Sequence, residues 1–181
     1  NSIYKGVSKL PAAHLLTVEK GEIKTRRYWN LSWEKKDSEN FTDSVDELRG
    51  LLADAVRMRL VADVPLGILL SGGIDSSTVA AYATQFSSEK VKTFSIGFEE
   101  DSFDESKFAR QVSKHLDTEH YEERLSVGKA ADLISDIGLW LDEPLSDGSL
   151  IPTFLLSQFV RKHVTVALGG DGGDELFAGY P

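Results

Sequence analysis

The chain has 181 residues, 41% of them hydrophobic, which is enough to bury one sizeable core. Its 20 basic and 29 acidic residues leave a net charge of −9, which disfavours a general electrostatic grip on nucleic acid and means that any polyphosphate it binds needs a counterion. Zero cysteines remove disulfides, thiolate metal sites and a cysteine nucleophile, while no apolar run approaches the roughly 20 residues of a membrane span and no basic-then-apolar leader opens the chain.

A soluble cytoplasmic protein with no nucleic-acid or membrane partner is the expectation. Beginning at Asn1 and stopping at Pro181 directly after a motif-dense stretch, the chain reads as a piece of something longer. In chain order, "HLLTVEKGEIKTRRYW" places a Lys20-Gly21 turn between two β-rich runs, the pattern of a hairpin. The polar stretch "SWEKKDSEN" reads as a linker, with a boundary near residue 36 and with Trp29 and Trp33 flanking it and packing against the domain. Ser44 and Glu47 fit a capping box, and Val45, Leu48, Leu52, Ala55 and Val56 continue at helical spacing to about Leu60.

After Pro65, "PLGILLS" reads as a strand buried on both faces, and "SSTVAAYATQF" as a helix. "VKTFSIGF" predicts a second strand, "DESKFARQVSKHL" an amphipathic helix with Phe108, Val112 and Leu116 four apart, and "TEHYEERL" a third strand. Helical patterns cover 127–141 and 150–163, separated by the loop "DEPLSDGS"; "VTVAL" is the fourth strand, and a further helix starts near Asp174. Strands alternating with helices imply an α/β fold, a mostly parallel sheet with helices on both faces.

Ligands of open α/β sheets sit outside the carboxyl ends of the strands. Both glycine-rich stretches lie there, 71–77 after the first strand and 169–175 after the fourth. In the first, Gly72 and Gly73 let backbone N–H groups approach an anion, Ser71, Ser76 and Ser77 add hydroxyls, and the next helix adds its positive end, a combination suited to phosphate. Asp75 would repel phosphate unless a Mg²⁺ lies between them; its plainer reading is a helix N-cap. In the second, Asp171, Asp174 and Glu175 crowd together among glycines, which implies a cation or an amine-bearing substrate, although Glu175 also suits a helix start. Neither G-x-x-x-x-G-K-[ST] nor G-x-G-x-x-G is present, so γ-phosphate and hydride transfer are disfavoured.

"SGGIDSS" resembles the pyrophosphate loop of N-type ATP pyrophosphatases, and "DEPLSDGSLIPT" with "VALGGDGGDELFAGY" resembles glutamine-hydrolysing asparagine synthetases. The resemblance implies an adenine nucleotide alpha hydrolase-like fold over 36–181, truncated at its carboxyl end, with 1–35 as the hairpin remnant of a glutaminase domain and its linker. Carried over by position, it assigns Leu70, Ser71, Gly72, Gly73, Asp75, Ser76, Ile96, Gly169 and Gly170 to ATP and its pyrophosphate. It assigns Asp75 and Asp174 to Mg²⁺, Asp171 to formation of the β-aspartyl-AMP intermediate, and Asp147 and Ser149 to the substrate side.

The family more often has serine at Gly169 and a second histidine at Tyr121. The implied partners are aspartate, ATP and ammonia from glutamine, with a homodimer as the candidate assembly of the longer parent. Because the glutaminase cysteine and the later lysines of the family are absent, the piece by itself is expected to be inactive. A β-lactam synthetase-like ligase and a non-catalytic binding module stand as alternatives. His14, His115, His120 and His163 lack paired spacing and read as surface or helix-end residues.

Overall fold

The structure is a computed structural model that describes residues 2–32, 40–98 and 106–180. Two successive left-handed residues, Lys20 with φ 51° and Gly21 with φ 83°, make the turn whose twist suits a two-residue hairpin. It joins β1 (His14–Glu19) to β2 (Glu22–Arg27) in antiparallel register, Glu19 opposite Glu22, as the Lys20-Gly21 pattern predicts. Trp29 is 58% exposed, and Trp33 lies outside the described residues. Contacts divide the chain into two compact units, 1–43 and 44–181; the linker expected near residue 36 falls largely outside the described residues.

Helix α1 (Phe41–Arg59) begins a turn before the expected capping box. Asn40 Oδ1 accepts the Asp43 N–H at 3.0 Å while the Asn40 amide donates to the Asp43 carboxylate at 2.6 Å, so this pair caps the helix and leaves Ser44 and Glu47 inside it. The strands β3 (Leu66–Leu69), β4 (Lys92–Phe98), β5 (Glu119–Leu125) and β6 (Val166–Leu168) form one parallel sheet in the order β5-β4-β3-β6. Between them run α2 (Ile74–Phe86), α3 (Ser106–Leu116), α4 (Val127–Trp140) and α5 (Leu150–Val160), and α6 (Gly173–Phe177) follows β6. No helix among the described residues is long and apolar enough to cross a membrane.

Alternation along β3 divides the core. Ile68 and Leu70 pack with Val56 of α1, Ala80 and Ala83 of α2 and Ala109 of α3. Leu69 faces the other way, against Phe94, Phe159, Val160 and Val164. Helices therefore cover both faces, as the alternating pattern predicts. The alanines at 80, 83 and 109 are fully buried and allow α2 and α3 to lie close together. Contrary to the spacing argument, Phe108 is 48% exposed; the inner face of α3 is formed by Ala109, Val112, Ser113 and Leu116. On the opposite face Phe94 stacks on Tyr121 at 5.2 Å and meets Phe159 edge-on at 6.0 Å.

His120 departs from the surface or helix-end reading, lying half-buried on β5 between the hydroxyls of Thr93 and Ser95. His163 follows the end of α5, as that reading expects, and packs 4.3 Å from the Tyr121 ring.

The sheet starts at β3, grows outward to β4 and β5, then returns to the far side of β3 with β6. The reversal between β3 and β6 is the point at which the loops leaving two adjacent strands diverge and open a crevice. Both glycine-rich loops leave the sheet there.

Candidate active site

β3 leads directly into Leu70, which is 1% exposed and whose N–H donates to Phe94 O at 2.8 Å. Gly72 then turns the chain at φ 88°, a conformation that residues with a Cβ resist. A Cβ here would lie 2.5 Å from Phe108 Cβ and 2.6 Å from Ala109 N, so the loop is pressed against α3. Ser71 Oγ accepts the Gly73 N–H at 3.2 Å and sits 2.9 Å from Ser76 Oγ, which itself donates to Gly73 O at 3.3 Å.

The first bond within α2 runs from Ser77 N–H to Gly73 O at 3.0 Å, which leaves the preceding amides of the helix without an intrahelical acceptor. Gly73 is the N-cap and no side chain caps it. Asp75 therefore does not serve as the cap that the plainer reading suggested; it stands inside the first turn.

The second loop lies directly on that turn. A Cβ at Gly170 would lie 2.7 Å from Ser76 N and 2.9 Å from Asp75 Cβ, and one at Gly173 would lie 2.6 and 2.8 Å from the two Asp75 carboxylate oxygens. The space beside Gly169, where a serine would place its Cβ, is occupied by the Asp171 carboxylate, folded back over the loop. Asp174 and Glu175 open α6, and the Tyr180 hydroxyl donates to Glu175 at 2.9 Å.

Two adjoining cavities result. One of about 330 Å³ is walled by Leu69, Leu70, Phe94, Ile96, Phe98 and the α5 residues Pro152, Thr153 and Leu156, and it reaches Gly169. This is within the range of small-ligand pockets, and its wall surface is mostly apolar. The other, of about 270 Å³, is bounded by Gly73, Asp75, Gly172, Asp174, Glu175 and Tyr180. Ser71, Ser76, Gly170 and Asp171 line both and so form their shared rim.

Four carboxylates and no basic side chain line the second cavity. Among the described residues no group of three or more carboxylates or imidazoles is arranged to hold a metal by itself. That donor set suits Mg²⁺, which commonly takes one or two protein carboxylates and completes its shell with phosphate oxygens and water. Asp75 lines the cavity from α2, and Asp174 and Glu175 line it from α6.

Asp147 and Ser149 are not among the residues lining either cavity. Asp147 Oδ1 accepts both the N–H and the hydroxyl of Ser149 at 2.8 Å, and these two bonds, the backbone one foremost, hold its carboxyl below the ordinary value. Tyr180 lines the acidic cavity. Its hydroxyl is held above the ordinary value first by its bond to Glu175 and by that charge, with smaller contributions from burial, Asp174 and Asp147.

The α5 wall, Ser95, Phe98 and Ser106 were not singled out from the sequence, because nothing local marks them; only the strand order brings them to this cavity.

Residues 47–181 match the family model described as asparagine synthase. The chain belongs to the asparagine synthase family. It is 40% identical, over 99% of its length, to a Methanocaldococcus jannaschii relative provisionally named asparagine synthetase (glutamine-hydrolyzing) 2, of which it covers 35%. It is 36% identical over 88% of its length to asparagine synthetase (glutamine-hydrolyzing) 1 of Bacillus subtilis, covering 25% of that protein. Asparagine synthetase B (glutamine-hydrolyzing) of Escherichia coli is 30% identical over 98% of the chain, which covers 34% of it. The chain thus spans a quarter to about a third of these relatives. Among solved structures, the NH3-dependent NAD synthetase of Campylobacter jejuni superposes with a TM-score of 0.50 at 17% identity, over 75% of this chain and 60% of that one, which establishes likeness of fold alone.

Proposed function

We propose that this chain supplies the nucleotide-binding and carboxylate-activating centre of a cytoplasmic ATP-dependent asparagine synthetase. The reading is carried by the shared rim: a nucleoside-sized apolar cavity and a glycine-walled acidic cavity meet at Ser71, Ser76, Gly170 and Asp171. Adenosine fits the first, against Leu70, Ile96, Gly169 and Gly170. The pyrophosphate end of ATP lies toward the uncapped start of α2, which Ser71, Gly73 and Ser76 line and beside which Gly72 turns the loop. Mg²⁺, held by Asp75 and Asp174 together with phosphate oxygens, would neutralise charge on the departing pyrophosphate.

An oxygen of the aspartate side-chain carboxylate attacks the α-phosphorus, the bond from that phosphorus to the bridging oxygen of pyrophosphate breaks, and β-aspartyl-AMP forms. Asp171, at the junction of the cavities, lies beside the reacting groups and orients them. Ammonia then adds to the acyl carbon, AMP leaves with the former carboxylate oxygen, and loss of a proton yields asparagine. A chain without cysteine cannot release that ammonia from glutamine by a thiolate, so the ammonia is delivered from elsewhere in the parent protein.

The test is pyrophosphate release from ATP in the full-length protein. Asp75→Asn is expected to lower the aspartate-dependent rate by about a hundredfold or more, while glutamine hydrolysis continues. Near-normal release would remove Asp75 from the mechanism. Failure of the unaltered protein to form asparagine from aspartate and ammonia would favour a β-lactam synthetase-like ligase or a non-catalytic module.

A further inference from the structure

Beneath α3, five polar side chains form a buried chain of hydrogen bonds. The Thr118 hydroxyl donates to Ser113 Oγ at 2.8 Å, Thr93 Oγ1 lies 2.8 Å from Thr118 Oγ1, His120 Nδ1 lies 3.0 Å from Thr93 Oγ1, and His120 Nε2 lies 3.2 Å from Ser95 Oγ. Thr93, Ser95, Ser113 and Thr118 are each at most 8% exposed.

A hydroxyl has one proton, and a neutral imidazole has one N–H. Thr118 spends its proton on Ser113, so Thr93 is the donor to Thr118. Thr93 then has none left for His120, so Nδ1 carries the ring proton and donates to Thr93. Nε2 is left as a bare acceptor, and Ser95 must donate to it. The Ser95 oxygen is thereby left with lone pairs and no proton to offer, and Ser95 lines the larger cavity.

We propose that Ser95 is a specificity-determining residue of that cavity, fixed by His120 as a hydrogen-bond acceptor for an N–H or O–H donor on the bound nucleoside. The inference rests on the nucleotide reading above for its ligand, but not for the direction of the hydrogen bonds. Burial is the largest influence on His120 and lowers its pKa, which keeps the ring neutral near pH 7. The charged groups acting on it are Glu122 on its own strand, which opposes the shift, and Arg110 of α3, which reinforces it; these two are paired at 2.8 Å.

Acid reverses the orientation. An imidazolium donates from both nitrogens, so Ser95 must accept from Nε2 and turn its own proton toward the cavity.

Nitrogen-15 NMR of the histidines in the full-length protein tests the direction without any ligand. An Nδ1–H tautomer for His120 near pH 7 is expected, and an Nε2–H tautomer would overturn the proposal. Calorimetric titration with ATP tests the contact: Ser95→Ala is expected to weaken binding about three- to tenfold. Inosine triphosphate, which lacks the 6-amino donor, and the 2′- and 3′-deoxy forms of ATP identify the donor. The analogue lacking it should lose that factor against the unaltered protein and lose nothing further against Ser95→Ala. The difference between the two proteins should shrink as the pH falls through the depressed His120 value, where the hydroxyl is reversed.

Equal ATP affinity for Ser95→Ala and the unaltered protein would overturn the contact. Absence of any ATP binding by the unaltered protein would instead overturn the functional reading, with the tautomer still deciding the orientation.

Discussion

A methyl group added at residue 170 meets the backbone of the neighbouring loop rather than a side chain that can swing aside. In Gly170→Ala the new Cβ would start 2.7 Å from Ser76 N and 3.0 Å from Asp75 C, whereas ordinary contact begins at 3.4 Å. The two loops must part by about 0.7 Å to relieve this overlap, which corresponds to overpacking of about 1–3 kcal/mol. For a chain of this size that is a fall in melting temperature of about 2–12 °C. The same displacement moves the start of α2 against the rim shared by the cavities, and misplacement on this scale lowers turnover by about ten- to a hundredfold.

The assays are a calorimetric melt and aspartate-dependent pyrophosphate release, with Gly50→Ala as the comparison. Gly50 lies inside α1 with nothing within 4 Å of an added Cβ, so alanine there should stabilise by about 0.5–1 kcal/mol and leave the rate unchanged. Unchanged melting and unchanged rate in Gly170→Ala would refute the contact between the loops, and with it the convergence on which the site depends.

Phe94→Ala removes a fully buried ring that stacks on Tyr121 and meets Phe159, and is expected to cost about 3–5 kcal/mol in a denaturant titration. His120, with its folded pKa lowered by burial, makes its full contribution to stability above about pH 6.5 and loses it as the pH falls through the depressed folded value. Replacing His120 with Gln should flatten that part of the stability curve, measured as denaturation midpoint against pH. Ser149→Ala removes the hydroxyl donor to Asp147 and should raise the Asp147 carboxyl toward its ordinary value in a carbon-13 titration, with the backbone bond retaining part of the shift. Gly169→Ser should displace the Asp171 carboxylate from the space it occupies over the loop, which a slowed pyrophosphate release would register.

Much of this protein is written in patterns that act between near neighbours. A left-handed pair at Lys20-Gly21 closes a hairpin because only such dihedrals match the strand twist, and apolar runs separated by helical repeats commit the rest to α/β units. Glycines placed directly after β3 and β6 mark both loops for the same reason: the backbone itself must come close to another group there. Composition was equally direct about what is missing, since a chain without cysteine has no thiolate to use.

Tertiary structure decided the rest. Local pattern does not distinguish Asn40 from Ser44 as a cap, and His120 reads as a surface or helix-end residue until pairing places it opposite Thr93. The order β5-β4-β3-β6 is a matter of pairing between segments about a hundred residues apart, and no short-range preference encodes it. Yet that order sets Gly170 and Gly173 against Asp75, closes a cavity with α5, and converts two separate glycine loops into one crevice.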